Sequence, residues 1–124
     1  MVYQCERNFF QAYVECALWS STKNDDVGTP LDREYTTNDF APEALASMRV
    51  ECDAFCDAHY DDIVTRDYAR AGHDFWLTRN GHGAGFWDGD WPADVGARLT
   101  EAAHAFGESD VYVGDDGLLY VMGG

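Results

Sequence analysis

Between Pro42 and Asp67, the residues Leu45, Met48, Cys52, Phe55, Cys56, His59 and Ile63 recur at three- and four-residue intervals. That spacing draws one apolar stripe down an α-helix and leaves the opposite face to solvent. Pro42 suits a first helical turn, where its missing N–H is no loss, and Glu43 complements the positive end of the helix dipole. A helix running to about Arg66 or Asp67 is roughly 37 Å long at 1.5 Å per residue. An element of that length must have others laid along it, so it is read as the scaffold of the fold.

The rest of the chain supplies partners for it. Residues 7–20 carry Phe10, Tyr13, Val14, Ala17 and Leu18 at helical spacing, and Phe9, Cys16 and Trp19 widen the apolar surface. This predicts a helix buried on most of its circumference, ended by the turn-forming residues Ser20 to Asp26. An irregular path follows to Phe40, held to the body by Leu31, Tyr35 and Phe40. His73 to Arg79 reads as a strand, Asn80-Gly81 as a tight turn, and Gly83 to Trp87 as a return strand softened by glycine. Pro92 opens a further helix with Val95, Leu99, Ala102, Ala103 and Phe106 on one face, closed by Gly107. Val111–Val113 and Leu118–Met122 flank Gly114-Asp115-Asp116-Gly117 as a final hairpin. The order predicts an α+β class and a single domain over residues 1–124. Its small, mostly antiparallel sheet of two hairpins packs on about three helices, one of them long. No internal repeat or linker interrupts it.

The polar surface is unusual. The 124 residues carry 23 Asp plus Glu against 8 Lys plus Arg, a net charge of −15. Like charges at that density repel one another and oppose the compact state. With 15% aromatic residues the chain is not an acidic disordered tail. Met1 to Phe10 lacks the basic start and apolar run of a secretory signal, and no stretch approaches 18 apolar residues. A cytoplasmic location is expected, with Cys5, Cys16, Cys52 and Cys56 as reduced thiols. Asp outnumbers Glu sixteen to seven, and Lys23 is the only lysine beside seven arginines. Short carboxylates in such excess suit a surface that imitates phosphates. They also suit a protein adapted to high salt, and a GC-rich genome favours Arg over Lys without any physical cause.

The acids are grouped. Glu51, Asp53, Asp57, Asp61 and Asp62 follow the expected long helix, with Asp53, Asp57 and Asp61 at i, i+4 and i+8. Consecutive members then stand about 6 Å apart along the axis, close to the phosphate spacing of one nucleic-acid strand. A groove that binds phosphates through Lys and Arg can accept such a row instead. Asp88, Asp90 and Asp94 form a second group, with Trp87 and Trp91 as candidate interface anchors. Asp110, Asp115 and Asp116 form a third. The plain alternative is a solvated helix face. No D-x-D-x-D-G spacing points to calcium.

Two other constellations carry chemistry. Cys52, Cys56 and His59 share one helix face at i, i+4 and i+7, a zinc-ligand set that Cys5, Cys16 or His73 would complete. They also lie in the apolar stripe, where free cysteine is at home, and no C-x-x-C pair occurs; core packing is the preferred reading. His73, Asp74, Arg79 and His82 sit around the expected first hairpin. Facing histidines oriented by Asp74 would give a small hydrolase or nucleic-acid-modifying enzyme its acid and base. No cofactor is expected.

The stretch HDFWLTRNGHGAGFWD, and more loosely the closing VYVGDDGLLYV, resembles a segment recurring in small acidic proteins of phages and plasmids that generally lack an assigned function. The similarity runs from about His59 onward, and residues 1–40 take no part in it. Small acidic proteins of that kind include inhibitors of host defence, anti-CRISPR and antirestriction proteins among them, several of which act as DNA mimics. The resemblance therefore implies a non-enzymatic inhibitor whose carboxylates occupy the basic nucleic-acid-binding surface of a host protein complex. It would touch neither nucleic acid itself nor a membrane.

Overall fold

Helix α1 spans Arg7–Trp19 and turns Phe9, Tyr13, Val14, Cys16, Ala17 and Leu18 into the interior, as the apolar spacing predicts. The structure, a computed structural model, describes residues 7–21, 30–63, 68–81, 85–86 and 91–123. Two short 3₁₀ turns, Leu31–Arg33 and Thr37–Asp39, follow. The second is closed by a capping box in which the Thr36 N–H donates to Asp39 Oδ2 at 2.7 Å and the Asn38 N–H donates to Thr36 Oγ1 at 3.3 Å. Leu31 and Phe40 are buried and Tyr35 packs against the core, so these three do pin the loop.

The expected long helix is two helices. Helix α2 spans Pro42–Ala58 and ends at His59, whose φ of −124° and ψ of 26° leave the helical region. The four-residue α3, Tyr60–Ile63, continues beyond it. Periodicity reports which side of a segment faces the core, and Ile63 is still buried after the break, so the stripe hides the bend. The new direction brings Asp62 to Arg98 of a later helix. Residues 64–67, where the long helix was expected to end, lie outside the described residues.

A second correction concerns His73 to Arg79, which is helix and not strand. Helix α4 spans Tyr68–Arg79. Every residue from Asp74 to Arg79 is buried, so no polar face marks a period of 3.6, and a short apolar aromatic run of this kind reads equally as a buried strand. Asn80-Gly81 is the end of this helix: Gly81 takes φ 70°, and the Asn80 side chain donates to Trp76 O at 3.0 Å. The Ser109 N–H donates to Asn80 Oδ1 at 2.7 Å, tying the helix end to the sheet. Gly85 and Phe86 lie in a bend, with the Phe86 N–H donating to Thr78 Oγ1 at 3.1 Å. Residues 82–84 and 87–90 lie outside the described residues.

Helix α5 spans Ala93–Ala105, and strands β1 (Ser109–Val113) and β2 (Leu119–Gly123) form the closing hairpin where the sequence places it. They pair antiparallel, with Val111 opposite Val121 and Tyr112 opposite Tyr120. This is the one sheet among the described residues, and the chain is an α+β protein. The free side of β2 is anchored to the start of α2: Phe40 and Leu119 form a parallel bridge, and the Ala41 N–H donates to Leu119 O at 2.9 Å.

Helices α1 and α4 pack most closely. A Cβ at Gly72 would stand 2.1 Å from the carbonyl oxygen of Phe9, so the two backbones approach to a distance that only glycine permits. Phe55 and Phe75 stack at 4.2 Å between ring centres, with Phe9, Phe86 and Phe106 around them. No helix among the described residues is long and apolar enough to cross a membrane.

Candidate functional site

Arg79 decides the fate of two sequence expectations at once. Its Nε–H donates to Gly107 O at 2.8 Å, and Nη1 donates to Tyr13 OH at 3.0 Å and Glu51 Oε1 at 2.9 Å. Nη2 donates to Glu51 Oε2 at 3.2 Å and to Phe106 O at 3.1 Å. A guanidinium has five N–H donors, and all of them are engaged. Burial opposes its charge, but the bonds to Glu51 and Tyr13 more than offset this, and its pKa stands above the ordinary arginine value. Burial, helped by nearby Cys52, likewise pushes the Tyr13 hydroxyl well up. Arg79 is therefore a structural hub with no free face for substrate. Glu51 is turned inward to it and is not part of an outward row of acids.

The remaining row is also partly neutralised. Asp53 pairs with Arg49 at 3.2 Å. Asp62 accepts from Arg98 Nε at 2.9 Å and Nη2 at 2.7 Å, and these bonds hold its carboxyl below the usual aspartate range. Asp57 and Asp61 stay exposed at the α2–α3 corner, and among the described residues neither lies in an ion pair. A continuous carboxylate row along one long helix is thus not what the chain presents. Trp91 is not a surface anchor either: it is buried, and its indole N–H donates to Asp74 at 2.8 Å. Trp87, Asp88 and Asp90 lie outside the described residues.

Of the expected acid–base set, His73 and Asp74 are neighbours on α4, and His82 lies outside the described residues. Asp74 is buried, while the His73 ring stacks on Trp19 at 5.5 Å in a groove of about 370 Å³ between α1 and α4. His73 Nδ1 lies 3.5 Å from Asp74 Oδ1, an ion pair only when the ring is protonated, and it makes no hydrogen bond. Cys16 borders the same groove with its thiol pointing at His73 O, 3.6 Å away. Burial, with Asp74 adding to it, pushes that thiol up to about 12, which removes it as a nucleophile.

Cys52 and Cys56 are buried in the core, and the His59 ring rests on Phe55 at 4.9 Å. Burial holds the His59 ring below its ordinary pKa, against the pull of Asp62. Among the described residues no group of three His, Cys, Asp or Glu is placed to hold a metal ion.

The structure gathers one surface that sequence reasoning missed. Tyr112 and Tyr120 stack at 5.8 Å on the outer face of the hairpin, beside a shallow concavity of about 530 Å³ lined also by Val113, Gly114, Asp115 and Asp116. The signal was present: in Asp110-Val-Tyr112 and Tyr120-Val-Met122 every second residue points the same way, and the Gly114–Gly117 turn fixes which of them meet. No protein-family profile, curated protein or solved structure matches this chain.

Proposed function

We propose that the chain is a non-enzymatic acidic binding protein that occupies the basic nucleic-acid-binding surface of a partner protein complex, as an inhibitor of a host defence system in the host cytoplasm would. One observation carries this reading. Among the described residues the pairs Arg49–Asp53, Arg79–Glu51 and Arg98–Asp62 each join one charge of each sign, so they use up arginines and leave the net charge of −15 as it stands. That surplus falls on the remaining carboxylates, Asp57 and Asp61 at the α2–α3 corner and Asp110, Asp115 and Asp116 on the hairpin among them. A field of one sign draws a cationic partner and speeds encounter. The catalytic alternative has lost Arg79 to the core.

The test is competition. The protein immobilised on beads in a host lysate should retain a complex at about 50 mM salt, release it to added duplex DNA, and lose most of it by about 200 mM. Asp57→Asn with Asp61→Asn should weaken retention, whereas Asp53→Asn, already paired, should not. Retention that ignores duplex DNA overturns the reading.

A further inference from the structure

We propose that the outer face of the β1–β2 hairpin is a docking surface for an arginine-bearing cationic segment of the partner, an inference that rests on the reading above and names the part of the chain that carries it. The register places Asp110 opposite Met122 and Tyr112 opposite Tyr120, so these four side chains share one face of the sheet. Tyr112 is 45% exposed and Met122 60%, so this one face carries two of the six large apolar side chains exposed among the described residues. Apolar groups gathered on one rim of a charged protein mark contact surfaces rather than chance exposure.

Tyr112 is exposed and Tyr120 half-buried against the core, and the pair is held in place by its neighbours. The Tyr120 hydroxyl donates to Asp116 Oδ2 at 2.6 Å, while Asp116 Oδ1 accepts from the Leu118 N–H at 3.0 Å. These bonds keep the Asp116 carboxyl below its ordinary range and push the Tyr120 hydroxyl up to about 12. A Cβ at Gly114 would stand 2.4 Å from the Tyr120 ring, so the turn closes tightly against it. A ring fixed in advance loses little further freedom on binding.

Charge selects the occupant. Among the described residues no arginine pairs with Asp110, Asp115 or Asp116. Glu43 at the start of α2 is near enough to bear on Tyr120. A phosphate backbone is repelled by such a surface, and so is a second copy of this acidic chain. A guanidinium satisfies both halves of it, stacking its plane on tyrosine and giving paired N–H groups to a carboxylate. An ammonium group, more strongly hydrated and without a flat face, satisfies only the charge.

The experiment titrates the isotope-labelled full chain with two short peptides, alternating glycine with arginine or glycine with lysine, and follows backbone amide shifts. The expected result is shifts confined to residues 110–113 and 119–122, roughly two- to five-fold tighter binding of the arginine peptide, and loss of that preference in Tyr112→Ser. Tyr112 is at the surface, and unchanged signals from α1, α2 and α4 verify the fold; Asp116→Ala, which removes the acceptor of the Tyr120 hydroxyl, should weaken the preference independently. Equal binding of the two peptides, or shifts spread evenly over Asp57, Asp61 and Glu101, overturns the proposal. Arginine preference without a DNA-displaceable partner retains this site and removes the proposed function. A DNA-displaceable partner held equally by Tyr112→Ser does the reverse.

Discussion

Arg79 shows how one side chain can look functional in a sequence and be architectural in the fold. It sits near two histidines and an aspartate along the chain, yet its five bonds run to α1, α2 and the α5–β1 connection. Arg79→Met leaves Glu51 without its partner and the carbonyls of Phe106 and Gly107 without a donor. The expected cost is about 3–5 kcal/mol, read by urea denaturation. Arg79→Lys should recover only part of it, because a point charge cannot replace the planar fork. Sequence reading missed this role because the partners lie 28 positions before and after Arg79, and 66 before it, in the chain. Cys52 and Cys56 were legible for the opposite reason: a stripe of apolar neighbours is a local signal, and they are core residues as that stripe implies.

At the level of elements, α1, α5 and the closing hairpin were readable because each has a contrast between a buried and a solvated side. Helix α4 was not, because its second half is buried all round and periodicity needs a polar face to be seen. The break at His59 was invisible for a related reason, since the apolar stripe continues through it. The close approach of α1 and α4 makes a further prediction. Alanine is the better helix former by about 1 kcal/mol, yet Gly72→Ala must push Phe9 and its backbone aside. The net effect should be a loss of about 1–3 kcal/mol, measured by chemical denaturation, with α4 still helical by circular dichroism.

On the scale of the whole molecule the charge surplus acts on stability and binding in opposite directions. Screening shortens the reach of repulsion from about 10 Å at 0.1 M salt to about 3 Å at 1 M. Thermal unfolding should therefore move upward over that range and then level off, while partner retention falls. A protein adapted to brine would instead be unfolded at 0.1 M and fold only as salt is added, and a melting series in sodium chloride separates the two. The bond from Ala41 to Leu119 has a bearing on how such a protein meets its target. Because it fastens the second strand to the root of the α2 helix, the closing ribbon moves as one piece with the body. A ligand seated on its tyrosines would grip a stiff handle, fastened to the root of α2 through Leu119 and to the end of α4 through Ser109.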